Sequence, residues 1–182
     1  TLLGAAHVYL PQFTPAAMLS ALQRHRVSFA FMAPTMIIMT LQDEQFEDYD
    51  LSALRQIFYG SSPMAVEWIR RAMERFQNAE LQQGYGLTET SPILTTLDAD
   101  EHHAAIESGD FERLKAVGRP VTGVDMLIVD DHDDPLPPGE PGEVVVRGPN
   151  VTKGYLNRPD ETEEAFRGGW FHTGDIGRMD ED

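Results

Sequence analysis

Hydrophobic positions in the first half of the chain alternate between short apolar runs and stripes with helical spacing. The short runs predict strands at residues 6–10, 27–33 and 54–59, and a further strand is predicted at residues 80–85. Helix-start signals, a capping side chain or a proline at the first turn, stand at Thr14-Pro15, Pro34-Thr35 and Ser62-Pro63. Strands and helices that alternate in this way are typical of an α/β layer, so residues 1–97 are predicted to form part of an open sheet with flanking helices.

The pattern changes after residue 97. Residues 98–116 are polar and acidic without a sustained period, which predicts a long loop. His102 and His103 stand there beside several carboxylates, and we interpret the pair as part of an exposed loop in preference to a metal site.

The remaining residues, 117–182, are predicted to form a β-rich lobe. Strand-like runs at 124–129, 143–147 and 170–173 are separated by turn-rich stretches. Asp160, with Glu163 three residues later, predicts the start of a short helix. The acidic run 130–134 lacks the spacing of a calcium loop, so a solvated hairpin tip is favoured over a metal site.

Composition excludes several classes of protein. Asp and Glu outnumber Lys and Arg by 30 to 14, which gives a net charge of −16 and disfavours a nucleic acid partner. Cysteine is absent, so disulfides and thiolate metal sites are excluded. No apolar run approaches the roughly 18–20 residues of a membrane span, and the first residues lack the basic start of a secretory signal. These features predict a cytoplasmic location.

The candidate chemistry is concentrated in the octapeptide 83–90. Tyr85 stands there between Gly84 and Gly86, and Thr88 and Glu89 follow at once. An aromatic face can stack on a nucleotide base, glycines permit positive φ and close approach of a ligand, and a carboxylate can bind Mg²⁺. The alternative is a turn that leaves a strand, with the tyrosine in the core.

Two other segments carry related chemistry. Gly60-Ser61-Ser62 follows a predicted strand, and its alternative interpretation is a plain strand–turn–helix junction. Asp175 follows Thr173-Gly174, where a carboxylate either binds a ligand or accepts hydrogen bonds within a turn.

Taken in order, these segments resemble the adenylate-forming enzymes: acyl-CoA synthetases, peptide-synthetase adenylation domains and luciferase. The resemblance covers nearly the whole chain, and it is supported by further matching stretches, 117–120, 138–143 and 154–159. It implies that the α/β part belongs to the large domain of an acyl-CoA synthetase-like fold, and that the β-rich part belongs to its distorted barrel.

The resemblance also implies roles for single residues. Tyr85, with Gly84 and Gly86, would hold adenine, and Gly60, Ser61 and Ser62 would form a second wall. Thr88 would contact the α-phosphate or the acyl oxygen, and Glu89 would bind Mg²⁺, so that Thr88 and Glu89 are the expected catalytic residues. Asp175 would accept hydrogen bonds from the ribose hydroxyls of ATP or AMP.

Parts of the family's pattern are missing. The phosphate-binding loop with its lysine and the lysine of a small C-terminal domain have no match, since neither Lys115 nor Lys153 stands in a corresponding context. The chain also begins at Thr1 without an initiator methionine. We therefore expect an internal fragment that needs these parts of the same polypeptide and that does not catalyse adenylation alone.

Similarity of residues 88–92 and 117–120 to fatty acyl-CoA synthetases makes a fatty acid–CoA ligase the first functional hypothesis. Its substrates would be a carboxylate, ATP and CoA. Two alternatives remain open: an adenylation domain that loads an aryl or amino acid onto a carrier protein, and a non-catalytic nucleotide-binding or interaction module.

Overall fold

A computed structural model describes residues 4–181, which divide into two compact units. The first unit contains the chain as far as Gly84 together with Leu97–Gly118. The second contains Tyr85–Thr96 together with the residues from Arg119 onward. None of the helices in the described part of the chain is long and apolar enough to cross a membrane.

The first unit is built on three parallel strands joined by helical connections. The strands are β1 (Phe29–Met32), β2 (Gln56–Gly60) and β3 (Glu80–Tyr85), and β2 pairs with both of the others. The helices are α1 (Pro15–Arg24), α2 (Pro34–Leu41), α3 (Val66–Arg75) and α4 (Ala99–Ser108). This arrangement confirms the predicted α/β class for the first half of the chain.

One face of the parallel sheet supports the core of this unit. Met32, Ile57 and Tyr59 alternate with residues of the opposite face and are fully buried in a cluster with Leu19 and Ile69. On the opposite face Phe31 stays about half exposed, at 56 %, while its ring stacks on Phe58. Strand residues alternate between the two faces of a sheet, so the helices of this unit cover the face that carries Tyr59.

Helix-start signals in the sequence explain where two of the helices begin. The Thr14 hydroxyl accepts a hydrogen bond from the Ala17 amide at 3.1 Å, and Pro15 occupies the first turn of α1, as predicted. α2 likewise begins at Pro34. α3, in contrast, begins at Val66 and not at Ser62-Pro63, so an exposed turn of several residues follows β2.

Two segments of the first unit differ from the predicted secondary structure. Residues 6–10 are not a strand: they have no regular structure, and Tyr9 is 82 % exposed. Residues 98–116 are not a loop, since they contain α4 and a 3-10 turn at Arg113–Lys115. At the start of α4 the Asp98 amide donates to Glu101 Oε2 at 3.2 Å, and Gly109 ends the helix in the left-handed conformation.

Helix α4 has a narrow buried side, which is why its sequence shows no sustained apolar period. His102 and Ala105 are fully buried, whereas most of the other side chains of α4 are at least partly exposed. The interpretation of His102 as an exposed loop residue was therefore wrong, because the Tyr59 hydroxyl lies 2.9 Å from its Nε2. Its Nδ1 lies 2.8 Å from the Asp98 carbonyl, which can only accept, so Nδ1 carries the proton and Nε2 of the neutral ring faces the Tyr59 hydroxyl as an acceptor.

The second unit is mostly β. A short antiparallel pair, β4 (Thr95–Leu97) with β5 (Arg119–Pro120), lies in it except for Leu97, the last residue of β4, and the sequence pattern did not predict this pair. An antiparallel sheet of three strands follows, β6 (Asp125–Val129), β7 (Gly142–Arg147) and β8 (Phe171–Gly177), in that order. Ile128, Val144 and Phe171 form the core of this unit with Leu94 and Val146.

The three strands form an open sheet, so the described residues do not close into a barrel. The helix of this unit, α5 (Pro159–Ala165), starts with Pro159 in its first turn. Asp160 therefore lies inside the helix and does not cap it, contrary to the sequence prediction. The Arg158 side chain instead pairs with Glu161, one turn further along.

Candidate functional site

The predicted site residues are divided between the two units. Gly60, Ser61, Ser62 and Gly84 belong to the first unit, and Tyr85, Gly86, Thr88, Glu89 and Asp175 belong to the second. The boundary thus falls inside the octapeptide, between Gly84 and Tyr85.

In the first unit Gly60 and Gly84 face each other at the carboxyl ends of β2 and β3. They are register partners, and a Cβ on Gly60 would collide with the Gly84 carbonyl oxygen. A Cβ on Gly84 would collide with the Phe58 ring. Neither glycine has a positive φ, so Gly84 does not use the left-handed backbone that the glycines of the octapeptide permit. They are needed because the strand ends pack too closely for a side chain.

The turn after β2 carries backbone strain at an exposed position. Ser61 adopts φ 75°, in the left-handed region that residues with a Cβ rarely occupy. Both Ser61 and Ser62 are exposed. Strain of this kind is frequent at ligand sites, and ligands of open α/β sheets lie at the carboxyl ends of the strands, so the role of this turn stays a prediction.

In the second unit Tyr85 contacts Asp175 directly, across 90 residues of sequence. The Tyr85 hydroxyl donates a hydrogen bond of 2.7 Å to Asp175 Oδ2. Burial and the hydrogen bond to this carboxylate both raise the pKa of Tyr85, so the phenol stays protonated and remains a donor. The structure therefore brings together the two residues that the resemblance assigns to adenine and to ribose.

Glycine at position 86 also reflects packing within the chain. A Cβ there would collide with the backbone of Pro92, and its φ is not in the left-handed region. The Leu94 amide donates to the Tyr85 carbonyl at 2.7 Å, so the chain folds back on itself around the octapeptide. The segment that carries Tyr85 is thereby held close to the segment that follows Glu89.

Thr88 and Glu89 lie in a 3-10 turn, Thr88–Thr90. Hydrogen bonds within this segment and from the distant Asn150 side chain hold the turn in place. The Thr90 hydroxyl accepts from the Leu87 amide at 3.0 Å, and Thr90 is fully buried. The Asn150 side-chain amide donates to the carbonyls of Thr90 and Ile93, at 2.8 and 3.0 Å. Because these contacts fix the backbone of the turn, the exposed side chain of Thr88 stands on a rigid base.

Glu89 has a partner that the sequence interpretation missed. The Tyr155 hydroxyl donates to Glu89 Oε1 at 3.1 Å, and the Thr152 amide donates to the Glu89 carbonyl at 2.7 Å. Burial and this carboxylate raise the pKa of Tyr155, so its hydroxyl remains a donor. No described residue forms a hydrogen bond to Oε2 or an ion pair with Glu89. A hard, anionic oxygen of this kind suits Mg²⁺.

The sequence could indicate the segment that contains Tyr155 but not the role of its side chain. Residues 154–159 were identified as a matching stretch without a role for any member. The pairing of Tyr155 with Glu89 spans 66 residues and leaves no periodic signal in a single sequence. The structure supplies this contact, and with it a reason for a tyrosine beside Gly154.

Comparison with known proteins gives a consistent result. The family model described as "AMP-binding enzyme" matches residues 1–156. A feruloyl-CoA synthase from Amycolatopsis is 38% identical over 183 residues, covering 100% of this chain and 35% of the relative. A medium/long-chain fatty acid–CoA ligase, FadD8 of Mycobacterium tuberculosis, is 34% identical over 179 residues, covering 98% of this chain and 30% of the relative.

Among solved structures, the amide bond synthetase McbA from Marinactinospora thermotolerans superimposes with a TM-score of 0.85 at 37% identity. The match covers 95% of this chain and 33% of McbA. The chain therefore spans about a third of the length of the proteins that it matches.

Proposed function

We propose, from the premise that this chain belongs to the AMP-binding enzyme family, that its polypeptide is an acid–thiol ligase. The polypeptide containing this chain would activate a carboxylic acid with ATP and transfer the acyl group to CoA. The observation that carries the proposal is the hydrogen bond from the Tyr85 hydroxyl to the Asp175 carboxylate, in the unit that also contains Glu89.

The proposed reaction has two steps. In the first, a carboxylate oxygen attacks the α-phosphorus of ATP, a P–O bond forms, and pyrophosphate leaves with the electrons of the bond that breaks. In the second, the sulfur of CoA attacks the acyl carbon, AMP leaves, and the thiol proton passes to solvent. The first step is required because a free carboxylate has no good leaving group.

The residues of this chain would hold and orient the nucleotide. Asp175 keeps oxygen lone pairs beyond the one that accepts from Tyr85, and we assign these to the ribose hydroxyls. The Tyr85 ring would stack on adenine while its hydroxyl keeps Asp175 in place. Thr88, exposed on its fixed turn, would donate to the α-phosphate or the acyl oxygen.

Glu89 is our candidate ligand for Mg²⁺, since its Oε1 is held by Tyr155 and its Oε2 accepts no hydrogen bond from any described residue. When bound, the ion would neutralise charge on the phosphate oxygens. This chain would hold the Glu89 carboxylate in place in advance, so that the carboxylate does not need to reorganise when the ion binds.

We propose an aromatic acid as the first candidate substrate and a medium- or long-chain fatty acid as the second. Ferulic acid is aromatic, and the relative named for it shares 38% identity with this chain, against 34% for the fatty acid ligase. The fatty-acid hypothesis from the sequence therefore stays a prediction. We expect the polypeptide in the cytoplasm, where ATP and CoA are both available.

The proposal is tested by pyrophosphate release from the whole polypeptide that contains this chain. Ferulate, a medium-chain fatty acid and a set of amino acids are compared, each with ATP and Mg²⁺, with and without CoA. We expect release with ferulate, a second phase when CoA is added, and formation of the thioester. Turnover with amino acids alone would contradict the ligase proposal and favour a carrier-loading domain.

A second acceptor is worth including because McbA is an amide bond synthetase. The same assay with an amine in place of CoA distinguishes amide formation from thioester formation. Absence of pyrophosphate release with every acid, together with retained AMP binding, would favour the non-catalytic nucleotide-binding module.

A further inference from the structure

The Glu143 carboxylate joins β7 to the turn that carries Asp175. Its Oε1 accepts from the Gly174 amide at 3.0 Å, and its Oε2 accepts from His172 Nδ1 at 2.9 Å. We propose that Glu143 is a positioning residue that holds Asp175 in the geometry required for ribose. This inference rests on the proposed function, because it takes Asp175 as the ribose acceptor.

A bulge in β8 explains why this turn needs a side-chain anchor. Val145 pairs with His172 and Glu143 pairs with Ile176. A step of two residues along β7 therefore corresponds to a step of four residues along β8. The extra residues bulge out of the ladder, with Gly174 at φ 75° and Asp175 exposed. The Gly174 amide has no strand partner in this arrangement, and Glu143 supplies the acceptor.

The bulge has a second tie through Thr173, so its shape is defined on both sides of Gly174. The Thr173 hydroxyl donates to the Val144 carbonyl at 2.8 Å and accepts from the Asp175 amide at 3.1 Å. Together with the bond from Glu143, these contacts fix the backbone on which Asp175 stands. The Asp175 side chain is in turn fixed by Tyr85.

Glu143 is itself held by charged neighbours. The Arg167 guanidinium donates a hydrogen bond of 3.1 Å to Glu143 Oε2. It also donates to both carboxylate oxygens of Asp133, at 3.0 and 3.2 Å. Burial alone would raise the pKa of Glu143, but the bonds from His172 and Gly174, with the charge of Arg167, hold it below its ordinary value. Glu143 therefore stays an anion and keeps both oxygens as acceptors.

A metal site is the competing interpretation, since ligand atoms of Asp133, Glu143 and His172 lie within 4.8 Å of one another. The guanidinium of Arg167 already bonds to both carboxylates. The chain thus supplies the positive charge that an ion would bring, and the cluster is better explained as a support for the turn.

The test measures how strongly the whole polypeptide prefers AMP over an AMP analogue that lacks both ribose hydroxyls. Calorimetric titration gives both dissociation constants for the wild type and for Asp175→Asn, Glu143→Ala and Glu143→Gln. Glu140→Ala, in the turn before β7, is the matched control, since Glu140 is an exposed carboxylate. The preference for AMP is the ratio of the two dissociation constants, and it isolates the contribution of the contacts to the ribose hydroxyls.

We expect Asp175→Asn to abolish most of the preference for AMP and Glu143→Ala to reduce it roughly tenfold, the size of one charge-assisted hydrogen bond. Glu143→Gln should retain part of it, because an amide oxygen can still accept from Gly174. Glu140→Ala should leave it unchanged. If Glu143→Ala does not fold, a preference reduced by about threefold or more in Glu143→Gln supports the same conclusion.

Two results would overturn the inference while leaving the proposed function intact. One is that both Glu143 variants keep the wild-type preference although Asp175→Asn loses it. The other is that both ligands weaken by the same factor, as a purely structural role would require. A wild type that binds AMP no better than the analogue would instead overturn the ribose role of Asp175, and the inference with it.

Discussion

Hydrogen bonds from tyrosine hydroxyls hold the two carboxylates on which the proposed chemistry depends. Tyr85 donates to Asp175, and Tyr155 donates to Glu89. Both phenols have a raised pKa and stay donors at neutral pH, with burial as the first cause in each case. A phenol fixes one oxygen of a carboxylate without neutralising its charge, so the other lone pairs remain available to a ligand.

Tyr155→Phe in the whole polypeptide should raise the Mg²⁺ concentration that gives half-maximal pyrophosphate release by roughly fivefold, or about 1 kcal/mol. The reason is that Glu89 Oε1 loses its only side-chain donor among the described residues. Glu89→Gln should lower the rate at saturating Mg²⁺ by about a hundredfold.

Tyr49→Phe, at a half-buried tyrosine of the first unit, is the control and should change neither quantity. In the Glu89→Gln background Tyr155→Phe should have little further effect, because its partner has already changed. An unchanged Mg²⁺ requirement in Tyr155→Phe would exclude Tyr155 as a support for Glu89.

At the scale of elements, sequence patterns predicted what local periodicity determines and missed what tertiary contacts determine. The start of α1 follows from a Thr-Pro cap, and both this start and the bounds of β3 were predicted. Helix α4 was missed because its buried side consists of few residues, among them a histidine. Strands β4 and β5 were missed because segments of two or three residues carry no period.

The same limit applies to the site. The motif residues Tyr85, Glu89 and Asp175 were found by chemistry and resemblance, and the structure joins Tyr85 to Asp175. The supporting residues Tyr155 and Glu143 could not be assigned roles from the sequence. Tyr155 contacts Glu89, 66 positions away, and Glu143 contacts Gly174, 31 positions away. Such contacts depend on strand pairing and loop packing, which a single sequence does not encode locally.

Buried His102 gives a prediction for α4. Burial is the first cause that lowers the pKa of His102 below its ordinary 6.5, so the folded chain keeps it neutral while the unfolded chain binds a proton. The free energy of unfolding should therefore decrease as pH falls below about 6.5, by up to about 1.4 kcal/mol per pH unit until the folded pKa is reached.

Urea unfolding at about pH 7.5 and about pH 5.5 measures this dependence. His102→Gln should reduce the difference in unfolding free energy between the two conditions, and His103→Gln, at the exposed neighbour, should not. Ordinary carboxyl groups titrate mostly below this interval, so they contribute little to the comparison. Equal differences in the wild type and in His102→Gln would show that burial of His102 does not shift its titration.

At the scale of the whole molecule, the chain consists of two units with separate cores, and it spans about a third of its relatives' length. The octapeptide 83–90 contains the boundary between the units, since Gly84 ends a segment of the first unit and Tyr85 begins a segment of the second. The prediction that this chain does not catalyse adenylation alone remains to be tested, with pyrophosphate release from the isolated chain as the assay.

In the proposed first step a carboxylate oxygen becomes bonded to the α-phosphorus of ATP. This bond can be detected by following heavy oxygen from ferulate, labelled at both carboxylate oxygens, through one round of thioester formation by the whole polypeptide. Our account predicts that the released AMP carries one labelled oxygen, by mass spectrometry, and that the pyrophosphate carries none. Unlabelled AMP, or label in inorganic phosphate with formation of ADP, would contradict it.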